Sequence, residues 1–213
     1  MGAFYGNVLV ARACAEVLPL LAGEDFHGYA VPAGAEHTVL YLDPETSCPD
    51  LAAPLSRLLR APALGMFLYD SDVLVMGVCD DGEVLVHYDS CPGYFDDDPV
   101  PEEDGDHDEE AAFVWPEPVG VDPDAFLRLA AGPVDRQRLL SALRGVPLDP
   151  EDGEDGRYVF AEAQHAEVMA CLGLDPARLA YGYDEIGKGR LPRGVVPWDL
   201  VLVGPARWPA AQG

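Results

Sequence analysis

Residues 64–88 read LGMFLYDSDVLVMGVCDDGEVLVHY. Three apolar runs, Leu64–Tyr69, Val73–Cys79 and Val84–Tyr88, are rich in the β-branched and aromatic residues that suit a pleated sheet. Asp70-Ser71 separates the first two and fits a tight hairpin. Asp81-Gly82 separates the last two, and Asp-Gly is the strongest short hairpin signal in the chain, because a two-residue turn needs positive φ at both positions. A three-stranded antiparallel meander is the expectation here.

Upstream, Phe4–Arg12 (FYGNVLVAR) reads as a strand. Ala13–Ala22 (ACAEVLPLLA) has helical spacing that Pro19 must kink or end. Phe26–Val31 and Thr38–Leu42 read as strands, and Asp50 stands as an N-cap before LAAPLSRLLR, in which Leu51, Leu55, Leu58 and Leu59 share a face. The order β-α-β-β-α-β, followed by two hairpin strands, predicts an α+β fold. Its N-terminal half is ferredoxin-like (split βαβ) with extra antiparallel strands, and both helices lie on one face. That architecture serves many unrelated functions and specifies none.

Residues 96–110 hold ten acids and no Lys or Arg, interspersed with Pro99, Pro101 and Gly105, the composition of a solvated, mobile loop. Beyond it the pattern turns mainly helical. Asp122-Pro123 opens a helix to Ala131, Val134–Leu143 forms another that Gly145 stops, and Glu162–Leu172 forms a third that ends at Gly173. EDGEDG at 151–156 reads as a second acidic loop, Tyr158–Phe160 as a short strand, and Leu200–Val203 as a last strand. The division expected is 1–95 as the sheet domain, 96–112 as the acidic loop, and 113–213 as a smaller helical or α+β region packed on the first.

The chain has 213 residues and a net charge of −25; Lys188 is its only lysine. So negative a surface repels nucleic-acid backbones and anionic membranes and favours basic partners. No apolar run reaches the ~20 residues of a membrane span, and Met1-Gly2-Ala3-Phe4-Tyr5 lacks a basic signal region, so a cytoplasmic location is the expectation. The cysteines, Cys14, Cys48, Cys79, Cys91 and Cys171, are odd in number and without CxxC spacing, which argues against a disulfide framework or a local zinc site.

The spacing D-x-D-V from Asp70, D-G-E-x-L-V from Asp81 and Y-x-S-x-P-G-Y-F from Tyr88 resembles a family of bacterial cytosolic proteins with no established activity. FAEAQHAEVMACLGL at 160–174, followed by Gly-Tyr, resembles that family's second half, in which a helix carrying His165 precedes such a segment. The resemblance implies a fold and no chemistry.

Two candidate sites emerge. Tyr94, Phe95, Phe113 and Trp115 flank the acidic loop. With Asp96, Asp97, Asp98, Glu102, Glu103 and Asp104 they could bind an Arg-rich protein through cation–π contacts and bidentate pairing, or they could anchor the loop to the core. Alternatively, Asp70, Asp72 and Asp89 at strand ends could hold Mg²⁺, Mn²⁺ or Ca²⁺, share protons in acid–base chemistry, or simply serve their turns.

His87, Ser90 and Cys91 lack the glycine-rich elbow that presents a hydrolytic nucleophile. Asp104, Asp106, Asp108 and Glu110 fail as an EF-hand, since Glu109 takes the place of the turn glycine and Trp115 that of the closing Glu. The remaining histidines form no ligand pair, and His165 reads as a surface or capping residue. The expected function is a non-catalytic acidic binding protein, of toxin-neutralising or regulatory type, that recognises a basic protein and needs no cofactor. The alternative is a metal-dependent enzyme or small-ligand binder built on Asp70, Asp72 and Asp89. The sequence leaves the oligomeric state open.

Overall fold

The computed structural model describes residues 2–43, 48–95 and 116–204. In chain order the elements are β1 (Tyr5–Val10), α1 (Cys14–Leu21), β2 (Gly28–Pro32), β3 (Thr38–Leu42), α2 (Cys48–Leu59), β4 (Ala63–Tyr69), β5 (Val73–Asp80) and β6 (Glu83–Asp89). There follow α3 (Pro123–Phe126), α4 (Arg136–Leu143), a two-residue ribbon of β7 (Gly153–Glu154) and β8 (Arg157–Tyr158), α5 (Ala161–Cys171), α6 (Pro176–Leu179), α7 (Tyr183–Gly187) and β9 (Val201–Val203). The fold is α+β. Seven strands form one antiparallel sheet in the order β6-β5-β4-β1-β3-β2-β9.

Helices cover both faces of this sheet. On one face α1 and α2 pack Val17, Leu21, Ala52, Leu55 and Leu59 against Val8, Val10, Leu40 and Ala63. On the other, the segments after residue 116 pack Phe126, Leu139, Leu143, Val168, Met169 and Leu172 against Leu9, Tyr41, Leu64, Met66, Met76 and Tyr88. Two-sided burial explains why β3 (TVLYL) is wholly buried and, after Thr38, apolar. At the sheet edge β6 is half covered: Val86 and Tyr88 are buried, Leu85 and His87 are exposed beside and between them, and Val84 is exposed where the pairing with β5 is irregular. Both hairpins turn as their residues require, with positive φ at Asp70 and Ser71 and at Asp81 and Gly82.

Several boundaries depart from the sequence reading. Helix α2 begins at Cys48, so Asp50 lies inside its first turn, still where a carboxylate favours the helix dipole, and is not the N-cap. The helix expected from Pro123 runs only four residues before tightening to a 3₁₀ turn at Leu127–Leu129, although Asp122 does cap it through the Asp124 N–H. Helix α4 starts at Arg136 because Asp135 caps it, accepting from the Gln137 and Arg138 N–H groups. The acidic stretch 151–156 carries the β7–β8 ribbon, and β8 is Arg157–Tyr158 with Phe160 already capping α5. His165, expected at the surface, is 1% exposed. The five cysteines are free thiols, three of them buried. Among the described residues no helix is long and apolar enough to cross a membrane.

One packing detail positions everything at the sheet's open end. Gly65 and Gly77 are direct cross-strand partners on β4 and β5, and the first turn of α2 rests on them. A Cβ on Gly65 would lie 2.0 Å from the Cys48 carbonyl oxygen, and one on Gly77 3.2 Å from that of Pro49. Gly6 on β1 faces the Cys48 sulfur in the same way, at 3.0 Å. Gly65→Ala is expected to lower unfolding stability by about 3 kcal/mol, at the upper end for an overpacked core, and Gly77→Ala by about 1 kcal/mol. Urea denaturation of both variants measures this.

Candidate functional site

The described part of the chain over this face of the sheet begins, at α2, with Cys48. Beyond it, on the same face, β1 and β4 continue with Phe4 just before β1 and with Phe67 and Tyr69 on β4, which share the orientation of Gly65 by the two-residue period. The turn after β6 brings Tyr94 and Phe95 to this place. It is held there by Ser90, whose hydroxyl accepts from the Leu74 N–H at 2.8 Å while its own N–H donates to the Leu74 carbonyl.

The rings form one connected group. Tyr69 lies edge-on to Phe4 (centroids 4.9 Å apart), Phe95 (5.1 Å) and Tyr94 (5.9 Å), and Phe67 is 6.2 Å away. Tyr94 and Phe95 also meet edge-on at 5.2 Å. Such geometry suits the ring quadrupoles, at about 0.5–1.5 kcal/mol per pair. Yet Phe4 is 44% exposed, Tyr94 38% and Phe95 52%. Full burial of a phenylalanine contributes ~1.5–3 kcal/mol, so the half-exposed rings leave a few kcal/mol unrealised in the free chain.

Carboxylates border the rings. Asp72 accepts from the Tyr94 hydroxyl at 3.2 Å, Asp70 from the Gly2 N–H at 2.9 Å, and Asp89 from the Cys91 N–H at 2.9 Å. Desolvation, the hydrogen bond to Asp72 and the nearby Asp72 and Asp70 charges hold the Tyr94 hydroxyl above its ordinary pKa. The three aspartates thus serve three separate local bonds. Among the described residues no group of three or more His, Cys, Asp or Glu side chains could hold a metal ion. The other members of the first candidate site, Asp96, Asp97, Asp98, Glu102, Glu103, Asp104 and Trp115, lie outside the described residues.

The nucleophile arrangement is equally unassembled. Burial first, then the Asp89 and Asp72 charges, raise the pKa of the Cys91 thiol against an opposing Arg157, which disfavours the thiolate. His87 stands on the exposed side of β6 with no hydrogen bond to Ser90 or Cys91.

On the sheet's other face lies a polar group that sequence reading missed. Tyr5 OH and His165 Nδ1 are 3.0 Å apart, and Ser71 donates to Glu162 at 2.6 Å. Asn7 donates to the Leu179 and Tyr181 carbonyls, and Gln164 to the Tyr88 hydroxyl. All are buried or nearly so, and they lock α5 and α6 onto the sheet without offering a surface to solvent. Gln164 and His165 interrupt the apolar stripe of α5, and that interruption was the available signal for buried polar ties. The chain matches no protein-family model, no curated protein and no solved structure.

Burial lowers the pKa of His165 to about 3, so the folded chain keeps it neutral. An unfolded histidine takes a proton near pH 6.5. Between these values the unfolded state binds more protons, so this contribution to stability is complete above about pH 6.5 and is lost as the pH falls. Burial lowers His37 in the same direction, against its bond to the Leu129 carbonyl. Denaturation from pH 7 to pH 5 should show wild type losing stability more steeply than His165→Gln, by up to about 1.4 kcal/mol per pH unit. Parallel curves would contradict a buried neutral His165.

Proposed function

We propose that this chain is a non-catalytic acidic binding protein that recognises a basic protein through the exposed ring cluster at the open end of its sheet. The connected group Phe4, Tyr69, Tyr94 and Phe95, left partly open to solvent and bordered by Asp70 and Asp72, carries the reading. An exposed apolar patch rimmed by charge is the usual form of a recognition surface. Aromatic rings supply the anchors of such interfaces, and carboxylates beside them select arginine and lysine. The net charge of −25 adds long-range steering toward a basic partner. A toxin-neutralising or regulatory role suits this chemistry.

We further infer that the first six elements form a split βαβ unit of ferredoxin-like type. The reading is supported by the strand order β4-β1-β3-β2 within the sheet and by the common face of α1 and α2.

The test is affinity capture from the host lysate with wild type and with Tyr94→Ala/Phe95→Ala, each washed at low and high salt. A stoichiometric basic protein should bind wild type at low salt, leave at high salt, and bind the variant at least 30-fold more weakly, the scale of losing two anchor residues. Equal retention by the variant would refute the assignment of this surface. Retention independent of salt would refute the electrostatic part.

A further inference from the structure

Next to the ring cluster is a cavity of about 540 Å³ that shares two of its rings. Phe4, Phe67, Tyr183, Asp184 and Glu185 line it, with the backbone of Gly6 and Gly182 as its floor. The floor is tight: a Cβ on Gly182 would stand 3.2 Å from the Gly6 nitrogen. The volume falls within the ~300–1,000 Å³ of ordinary ligand sites.

The lining specifies what fits. Among the described residues its lining holds two carboxylates and four aromatic residues, Tyr5 being the fourth, and no basic side chain. Asp184 is exposed and makes no ion pair among the described residues. Glu185 uses Oε2 to accept from the Gly182 N–H at 3.1 Å, an orientation that fixes the carboxylate at the cavity wall. An anion would be repelled here, and a neutral apolar group would leave both carboxylates unanswered. A guanidinium satisfies both parts, because its plane stacks on aromatic faces and its forked N–H groups pair with carboxylates. An ammonium lacks that plane and is held more strongly by water.

We propose that this cavity receives an arginine side chain of the basic partner. The inference rests on the partner reading above and adds to it the residue that is recognised and where it goes. Phe4 joins the two regions: it lines the cavity and meets Tyr69 edge-on at 4.9 Å. A segment crossing Tyr94 and Phe95 is therefore led to the cavity mouth.

The experiment is ¹H–¹⁵N NMR titration of the full chain with three probes: N-acetyl-arginine amide, N-acetyl-lysine amide, and a short arginine-containing basic peptide. The arginine amide should give saturable shifts at Gly6, Phe67 and Gly182–Glu185, several-fold stronger than the lysine amide. Asp184→Asn should weaken it at least 5-fold. Asp184 is exposed, so that variant tests the site without disturbing the fold; Phe67→Ala serves as the second. Tyr94→Ala/Phe95→Ala should leave the amide unaffected while weakening the peptide. Absence of saturable shifts at the cavity, or an unchanged affinity in Asp184→Asn, overturns the inference. If the peptide still binds through Tyr94 and Phe95 in that case, the partner reading survives alone. Amide binding at the cavity without peptide binding at the rings would keep the arginine site and remove the partner reading.

Discussion

The contact between Gly65 and the Cys48 carbonyl governs the rest of the molecule. A helix that crosses a sheet normally stands off by the length of its side chains. Here the first turn of α2 meets bare backbone at Gly65 and Gly77, and any Cβ on Gly65 would stand 2.0 Å from Cys48 O. This fixes how closely the first turn of α2 lies on β4 and β5. Everything on that face toward Val10 and Ala63 is closed by Ala52, Leu55 and Leu59. Toward Phe67 and Tyr69, the rings of Phe4, Tyr94 and Phe95 are 44%, 38% and 52% exposed.

The opposite face is closed by a different device. Most strands of the sheet send a polar side chain or carbonyl into the C-terminal segments: Tyr5 to His165, Asn7 to Leu179 and Tyr181, Tyr41 to Arg178, Tyr88 to Gln164, and the Pro32 carbonyl to Arg178. A buried hydrogen bond contributes only about 1 kcal/mol, but a mispaired one costs more, so these ties specify the register of the helices more than they add stability. Ion pairs contribute little. Among the described residues there are six, each with a partner at least half exposed, a class worth about 0–1 kcal/mol apiece. With 38 acids against 13 bases, the charge serves solubility and recognition while apolar burial on both faces of the sheet holds the fold.

The strands were legible because their signals are local. β-rich apolar runs and Asp-Gly mark β5 and β6 without reference to anything distant, and TVLYL reads as a strand by the same local signal. The start of α2 was placed late because Asp50 is itself a good capping residue; in the structure it lies inside the first turn, and Cys48 and Pro49 before it rest on Gly65 and Gly77. His165 was misread for a non-local reason. Helical spacing says which residues share a face, and only the fold says that Tyr5, 160 residues away, waits opposite. Of the ring cluster, Tyr94 and Phe95 were visible beside the acidic loop. Phe4, Phe67 and Tyr69 join them through the pairing of β1 with β4, which no local pattern announces. Asp70, Asp72 and Asp89 stood out as a triad by spacing, and each is used in its own hydrogen bond near a turn.

Recognition at the rings, and not elsewhere on the acidic surface, can be tested within the folded chain. Trp198, 81% exposed in the 3₁₀ turn before β9, provides an internal control. The decisive measurement is photo-crosslinking in living cells with a benzophenone amino acid placed at Phe95 or, separately, at Trp198. The account predicts one dominant adduct with a basic protein from position 95 and none of that species from position 198. The same adduct from position 198, with none from 95, would contradict it.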